Sequence, residues 1–362
     1  MRKLVLGLLL LLPNGFAAAQ VELGEINGAK FRIDIPENWN GGLVMYCHGY
    51  NPSPQGFNDK PSEMLNVFLS QGYAVAQSGY AGGGWAVQEA LVDTENLRRY
   101  FLKKHGPVKE TYVTGHSMGG FLTMAMLETQ PTVYDGGMPM CGPLAPSVYF
   151  LSRGAFDGLV LFHHFFPGVL PEPGEIPSTY VSNRETTAKV EAALQTNDRK
   201  AAMLRSVNAI KSNRDLAGVI SFLTYLVKEL TERAGGNPFD NRNVIYHHTD
   251  DDNAVNAAVK RYTGNPKAVE YLRTYYTPTG RLTQPMLAIH TSYDPLVPTW
   301  VPNLYQSIVD QAGTSGWFVQ QYVKRDGHCT ITPQEIAKGF AQLRQWKNDG
   351  VRPKAGDQAS NP

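Results

Sequence analysis

The run Gly115-His116-Ser117-Met118-Gly119, followed by Gly120, sets a serine between glycines. A serine on a tight strand-to-helix turn exposes its hydroxyl for nucleophilic attack on a carbonyl, and the glycines let strand and helix approach closely. The pattern has force only in context. Here the apolar run Tyr112-Val113-Thr114 precedes it and a helical pattern over residues 121–129 follows. A hydroxyl is a weak nucleophile until a base removes its proton, and that base needs an acid to orient it. Of nine histidines, His328 stands in the turn Asp326-Gly327-His328, after a strand pattern and before the last helix. His48 ends an earlier strand and reads as shaping a loop beside the serine. His116 reads as pointing into the fold. Asp294, in Tyr293-Asp294-Pro295-Leu296-Val297-Pro298, directly follows another strand pattern and is the candidate acid. Asp326 is the rival, but it lies only two residues from the histidine it would have to orient.

These residues work together only if strand ends bring them to one edge. Residues 30–35 alternate as a strand, and residues 43–47, 73–77 and 111–114 are short apolar runs that read as buried strands. Helical patterns over residues 63–71 and 87–104 lie between them. Such exchange indicates a parallel sheet covered on both faces. Residues 136–140, 286–290 and 317–323 supply further strands. The last helix opens at Thr332, with Pro333 in its first turn and Glu335 completing a capping box. Ile336, Phe340, Leu343 and Trp346 then recur on one face. Between residues 143 and 281 the strand rhythm disappears. Helical stretches near residues 187–194, 217–233 and 254–262, with aromatic clusters at Tyr149-Phe150 and residues 162–166, read as a helical lid.

The strand–Gly-x-Ser-x-Gly–helix unit, the Asp294 loop with its Val297-Pro298 and the His328 turn resemble the α/β-hydrolase superfamily over residues 28–145 and 282–348. The resemblance implies an α/β-hydrolase fold: a mostly parallel central sheet, helices on both faces, a helical lid insertion and a triad in the order Ser117, Asp294, His328. The expected organisation is a signal peptide (1–19), core (20–145), lid (146–281), core (282–350) and flexible tail (351–362). The tetrahedral intermediate needs two backbone donors. Met118 N–H follows the nucleophile, and resemblance to other His-Gly loops points to Tyr50 N–H, with Gly49 second; Pro52 and Pro54 cannot donate. The Gly82-Gly83-Gly84-Trp85 turn reads equally as a lining of the acyl pocket or as a surface loop.

The chain has three cysteines. On that fold Cys141 ends a strand on the catalytic edge and Cys329 adjoins His328, so a Cys141–Cys329 disulfide would hold the histidine loop. Tannase-like and fungal feruloyl esterases tether this loop by a His-Cys disulfide, but their partner cysteine precedes the nucleophile, where this chain has His116. Cys47 is an alternative partner, and three free thiols are another. Met1-Arg2-Lys3, an apolar stretch over residues 4–12 and Ala17-Ala18-Ala19 read as a signal peptide cut near Ala19, hence a secreted or periplasmic protein. The apolar stretch falls short of the ~20 residues that span a bilayer, and no stable membrane insertion is expected. A net charge of +1 without basic clusters argues against nucleic acid. No phosphate loop or dinucleotide fingerprint calls for a cofactor. His247-His248 beside Asp250-Asp251-Asp252 reads as a turn or helix cap rather than a metal site. The expected activity is that of a secreted serine hydrolase cleaving small-molecule or polymer carboxylic esters, with hydrophobic or aryl acyl groups suggested by the lid aromatics. A peptidase of prolyl-oligopeptidase or aminopeptidase type would use the same triad; a non-catalytic binding protein on this scaffold is the reading from another class.

Overall fold

The computed structural model describes residues 20–58 and 64–358; the expected signal peptide lies outside them. The chain enters as a hairpin. β1 (Gln20–Ile26) and β2 (Ala29–Ile35) pair antiparallel across Asn27-Gly28, whose φ angles are 51° and 88°. Two consecutive positive φ values match the twist of the flanking strands, which is why Asn-Gly turns close tight hairpins. The chain continues through β3 (Gly42–Cys47), α1 (Asn66–Leu69), β4 (Ala74–Ser78), α2 (Val87–His105), β5 (Glu110–His116), α3 (Met118–Thr129) and β6 (Gly136–Met140). The helix expected over residues 63–71 is therefore one short turn, and its first residue is not among those described.

A helical stretch follows: α4 (Ser147–Leu151), a π-helical turn at Ser152–Phe156, α5 (Asp157–Phe165), α6 (Arg184–Gln195), α7 (Asp198–Val207), α8 (Asn213–Arg233), α9 (Asp252–Ala258) and α10 (Pro266–Thr274). The chain then returns to the sheet with β7 (Met286–Tyr293), α11 (Trp300–Ala312), β8 (Phe318–Asp326), α12 (Pro333–Asp349) and β9 (Gly356–Asp357). Strand order is β1-β2-β4-β3-β5-β6-β7-β8-β9, parallel from β4 onward.

Alternation along β3 divides the core into two layers. Leu43, Met45 and Cys47 join the layer beneath α2 and α3, while Val44 and Tyr46 face the layer beneath α1 and α12. In the second layer Phe340 of α12 meets Phe68, Tyr73 and Tyr112 edge-on, with ring centroids 5.0, 5.1 and 5.3 Å away. The capping box expected at Thr332 and Glu335 is present and starts α12 at Pro333.

The end of the chain corrects the expectation of a flexible tail from residue 351. As far as Gln358 it is docked: Gly356 and Asp357 pair with Gln321 and Tyr322, and Gln321 Nε2 donates to Lys354 O at 2.9 Å. β8 would otherwise expose a row of unpaired backbone groups, and β9 pairs with it at Gln321 and Tyr322 whatever the side-chain polarity.

α3, which begins directly after Ser117, is anchored at its far end by Glu128, a buried carboxylate. It accepts from Tyr276 Oη (2.9 Å), Thr279 N (2.6 Å), Thr279 Oγ1 (2.8 Å), Gly280 N (2.8 Å) and Tyr305 Oη (2.5 Å). This carboxylate joins α3 to α11 and to the segment leading back into β7. Glu128→Ala strands several buried donors at once and is expected to lower unfolding free energy by at least about 3 kcal/mol, measured by urea denaturation.

Candidate active site

Ser117 occupies the single residue between β5 and α3, with φ 56° and ψ −121°. A residue with a β-carbon avoids this region, at a cost of about 1–3 kcal/mol. The surroundings enforce it. Ser117 N–H donates to Met140 O at 2.9 Å. A β-carbon on Gly115 would lie 2.3 Å from Cys47 O, and one on Gly119 2.0 Å from the same atom. The flanking glycines are thus required by the close approach of β3.

The three residues singled out by order in the chain meet here. His328 Nε2 lies 2.8 Å from Ser117 Oγ, and His328 Nδ1–H donates to Asp294 Oδ2 at 2.7 Å. The other oxygen of Asp294 accepts from the N–H groups of Leu296 and Val297, both at 2.9 Å, so the turn after β7 aims the carboxylate. Burial raises the pKa of this nearly inaccessible acid. The His328 hydrogen bond and charge, with the Val297 N–H, outweigh that and leave it below the usual carboxylate range. Asp326, the rival acid, is paired with Lys211 at the surface.

No protein-family model matches the sequence, and no curated protein matches it. Among solved structures the chain is similar to a puromycin-hydrolyzing peptidase of Mycobacterium tuberculosis, at 11% identity and a TM-score of 0.52 over 96% of this chain and 42% of that one. It is similar also to the acylaminoacyl peptidase of Pyrococcus horikoshii, at 11% identity and a TM-score of 0.51 over 91% and 41%. Est1E from Butyrivibrio proteoclasticus matches 90% of this chain over 98% of its own length, at 13% identity and a TM-score of 0.48. The chain spans about two fifths of the length of the two peptidases. The fold is that of the α/β-hydrolases.

In this α/β-hydrolase fold the loop after β3 runs beside the serine: a β-carbon on Gly49 would lie 3.3 Å from Ser117 Cβ. His48, stacked on Tyr80 with centroids 4.0 Å apart, donates from Nδ1–H to Gly49 O at 2.7 Å. Because C=O and N–H point oppositely across a trans peptide, fixing Gly49 O also fixes the direction of Tyr50 N–H. Met118 N–H belongs to the first turn of α3, where no intrahelical carbonyl can accept it.

Cys141 and Cys329 are joined in a disulfide, and Cys47 is a buried free thiol. The bridge ties the end of β6 to the residue after His328. The sulfurs and His328 also form the one compact His/Cys/Asp/Glu group among the described residues, but the disulfide withdraws both thiols from metal binding. Asp251 caps α9 through Ala254 N–H, as the turn-or-cap reading expected.

His290 escaped the sequence reading, its only signal being a histidine at the end of an apolar strand. It is buried, donates from Nε2–H to Val297 O at 2.8 Å and lies 3.7 Å from Asp294 Oδ2, so it supports the acid turn. α8 is fastened to the same region: Tyr293 Oη donates to Asp215 at 2.9 Å and accepts from Lys211 N–H at 2.9 Å. Midway along α8, Phe222 packs edge-on against Tyr50 with centroids 5.4 Å apart. A cavity of about 150 Å³ adjoins the acid turn, lined in part by Ile210, Val219, Leu296, Pro298 and Trp300.

Two measurements test this construction. Replacing both bridge cysteines by serine is expected to destabilise the fold by about 2–5 kcal/mol in urea denaturation. His116, buried 3.2 Å from Tyr46 Oη, has its pKa pushed down from 6.5 to about 4 by burial, with the His328 charge adding to the shift. Between those values the unfolded chain binds a proton that the folded chain does not. Unfolding free energy therefore falls as pH drops from 6.5 toward 4. Urea denaturation at about pH 7 and about pH 4.5 should show a smaller acid loss in His116→Gln than in the unaltered protein. Burial lowers the pKa of His48 and His290 too, so part of the loss remains.

Proposed function

We propose that the chain is an exported serine hydrolase that cleaves carboxylic esters through an acyl-enzyme on Ser117. The observation that carries this reading is the continuous hydrogen-bond chain from Asp294 through His328 to Ser117, at 2.7 and 2.8 Å. Ser117 Oγ attacks the ester carbonyl as its proton passes to His328 Nε2. Asp294 holds the imidazole in the tautomer that accepts this proton and stabilises the imidazolium. The oxyanion forms toward Met118 N–H and Tyr50 N–H. His328 then protonates the departing alkoxide, and the acyl group stays on Ser117. Water enters, His328 takes its proton, and collapse of the second intermediate frees the acid and restores Ser117.

Esters are favoured because an alkoxide leaves with less protonation than an amine requires. The helices between β6 and β7 are read as the lid, whose aromatic side chains, Phe222 beside Tyr50 among them, suit a hydrophobic or aryl acyl group on a small molecule or a polymer. The Cys141–Cys329 bridge supports export, since disulfides persist in oxidising compartments. No helix among the described residues is long and apolar enough to cross a membrane.

A fluorophosphonate probe should label the unaltered protein covalently and leave Ser117→Ala unlabelled; an unlabelled parent protein overturns the reading. Turnover of an ester and an amide sharing one acyl group should favour the ester by at least about 100-fold in kcat/KM. Preference for the amide would move the assignment to a peptidase.

A further inference from the structure

We propose that Glu229 and Arg233, at the end of α8, are positioning residues that clamp the turn at residues 82–85 and through it hold the loop carrying Tyr50 N–H in place; the proposal rests on the serine-hydrolase reading above. The loop after β3 touches Ser117 at Gly49, and two residues later it is bonded to this turn. Gly84 N–H donates to Asn51 O at 2.7 Å, and Asn51 and Gly84 form an isolated antiparallel bridge. Tyr50 thus lies between a residue packed on the nucleophile and a residue pinned to the turn.

The turn is pressed from both sides. A β-carbon on Gly83 would lie 2.3 Å from Pro52 O, on the loop side. On the other side, a β-carbon on Gly82 would lie 2.8 Å from Glu89 Oε1 and one on Gly84 2.2 Å from Glu229 Oε1. Gly83 is required by the backbone of Pro52 and Ser53, and Gly84 by its φ of 78°. The carboxylates are themselves fastened. Glu229 Oε2 accepts from Trp85 N–H at 3.1 Å, and Glu229 Oε1 accepts from Arg233 Nε at 2.7 Å. Arg233 also donates to Glu89 Oε1 at 2.8 Å and to Gly83 O. Both side chains are largely buried, 14% and 16% exposed, so solvent screens these bonds weakly. Phe222, seven residues before Glu229, reaches Tyr50 itself. One helix therefore braces the loop directly and through the turn.

A purely structural role, fastening the helices to the core, would predict general loosening instead. Lys228, about 100° around α8 from Glu229, is a suitable control because its hydrogen bonds run elsewhere. It donates to Ser178 O at 3.0 Å and Tyr180 O at 3.2 Å, and its ammonium sits 4.6 Å from the Tyr225 ring centroid. With p-nitrophenyl acetate, Glu229→Ala is expected to lower kcat by about 10–100-fold while KM stays within about twofold, the signature of an interaction used in the transition state. Fluorophosphonate labelling should slow by a similar factor. Glu229→Gln keeps an acceptor for Trp85 N–H and should retain at least about a third of kcat. Lys228→Ala should keep the parent kcat. Should Glu229→Ala not fold, Arg233→Gln, which releases Gly83 O and Glu89, is measured in its place with the same expected split. Unchanged kcat in these variants, or an equal loss in Lys228→Ala, overturns the clamp. Failure of the parent protein to label overturns the nucleophile assignment instead, so the two readings fail separately.

Discussion

The backbone at Ser117 sits in a region that costs a residue with a β-carbon about 1–3 kcal/mol, and its neighbours are arranged to keep it there. Gly115 and Gly119 let Cys47 O of β3 approach to distances that no β-carbon tolerates. Ser117 N–H is claimed by Met140 O from β6. Both supports come from parallel strands flanking β5, so the turn exists only once those three strands are aligned. The buried carboxylate of Glu128 then fixes the other end of the helix that the turn begins. What results is a hydroxyl projected from a rigid point, which is the condition under which a neighbouring imidazole can be aimed at it.

The histidine is aimed by connections of different kinds. β7 and β8 pair as far as Tyr293 and Asp326, so the acid turn and the histidine turn leave the sheet side by side. Asp294 has one oxygen spent on its own turn and the other on His328. The Cys141–Cys329 bridge adds a covalent limit from a third strand end. Three other imidazoles, His48, His116 and His290, are buried at the same strand ends, and burial keeps each neutral to lower pH than usual. They contribute hydrogen bonds and packing without placing a second positive charge beside His328.

Much of the fold was legible because its signals are local. Buried parallel strands read as short apolar runs, and the capping box at Thr332 and Glu335 is written within four residues. β1 was missed although Asn27-Gly28 announces a hairpin, because this mostly exposed strand carries no apolar run. The tail was misjudged because its pairing with β8 uses backbone groups, which composition does not report.

The sequence by itself determined the tight turn at Ser117, since glycine, serine and the flanking strand and helix are contiguous, and the chain order Ser117, Asp294, His328. Only the tertiary structure decided which cysteine reaches Cys329: Cys47 points into the layer beneath α3, while Cys141 leaves the sheet toward the histidine loop. It alone brought His290 against the acid turn, and Glu229 and Arg233 against three glycines nearly 150 residues earlier in the chain. Such contacts depend on how separate elements pack, and spacing along a chain carries no record of packing between elements far apart in it.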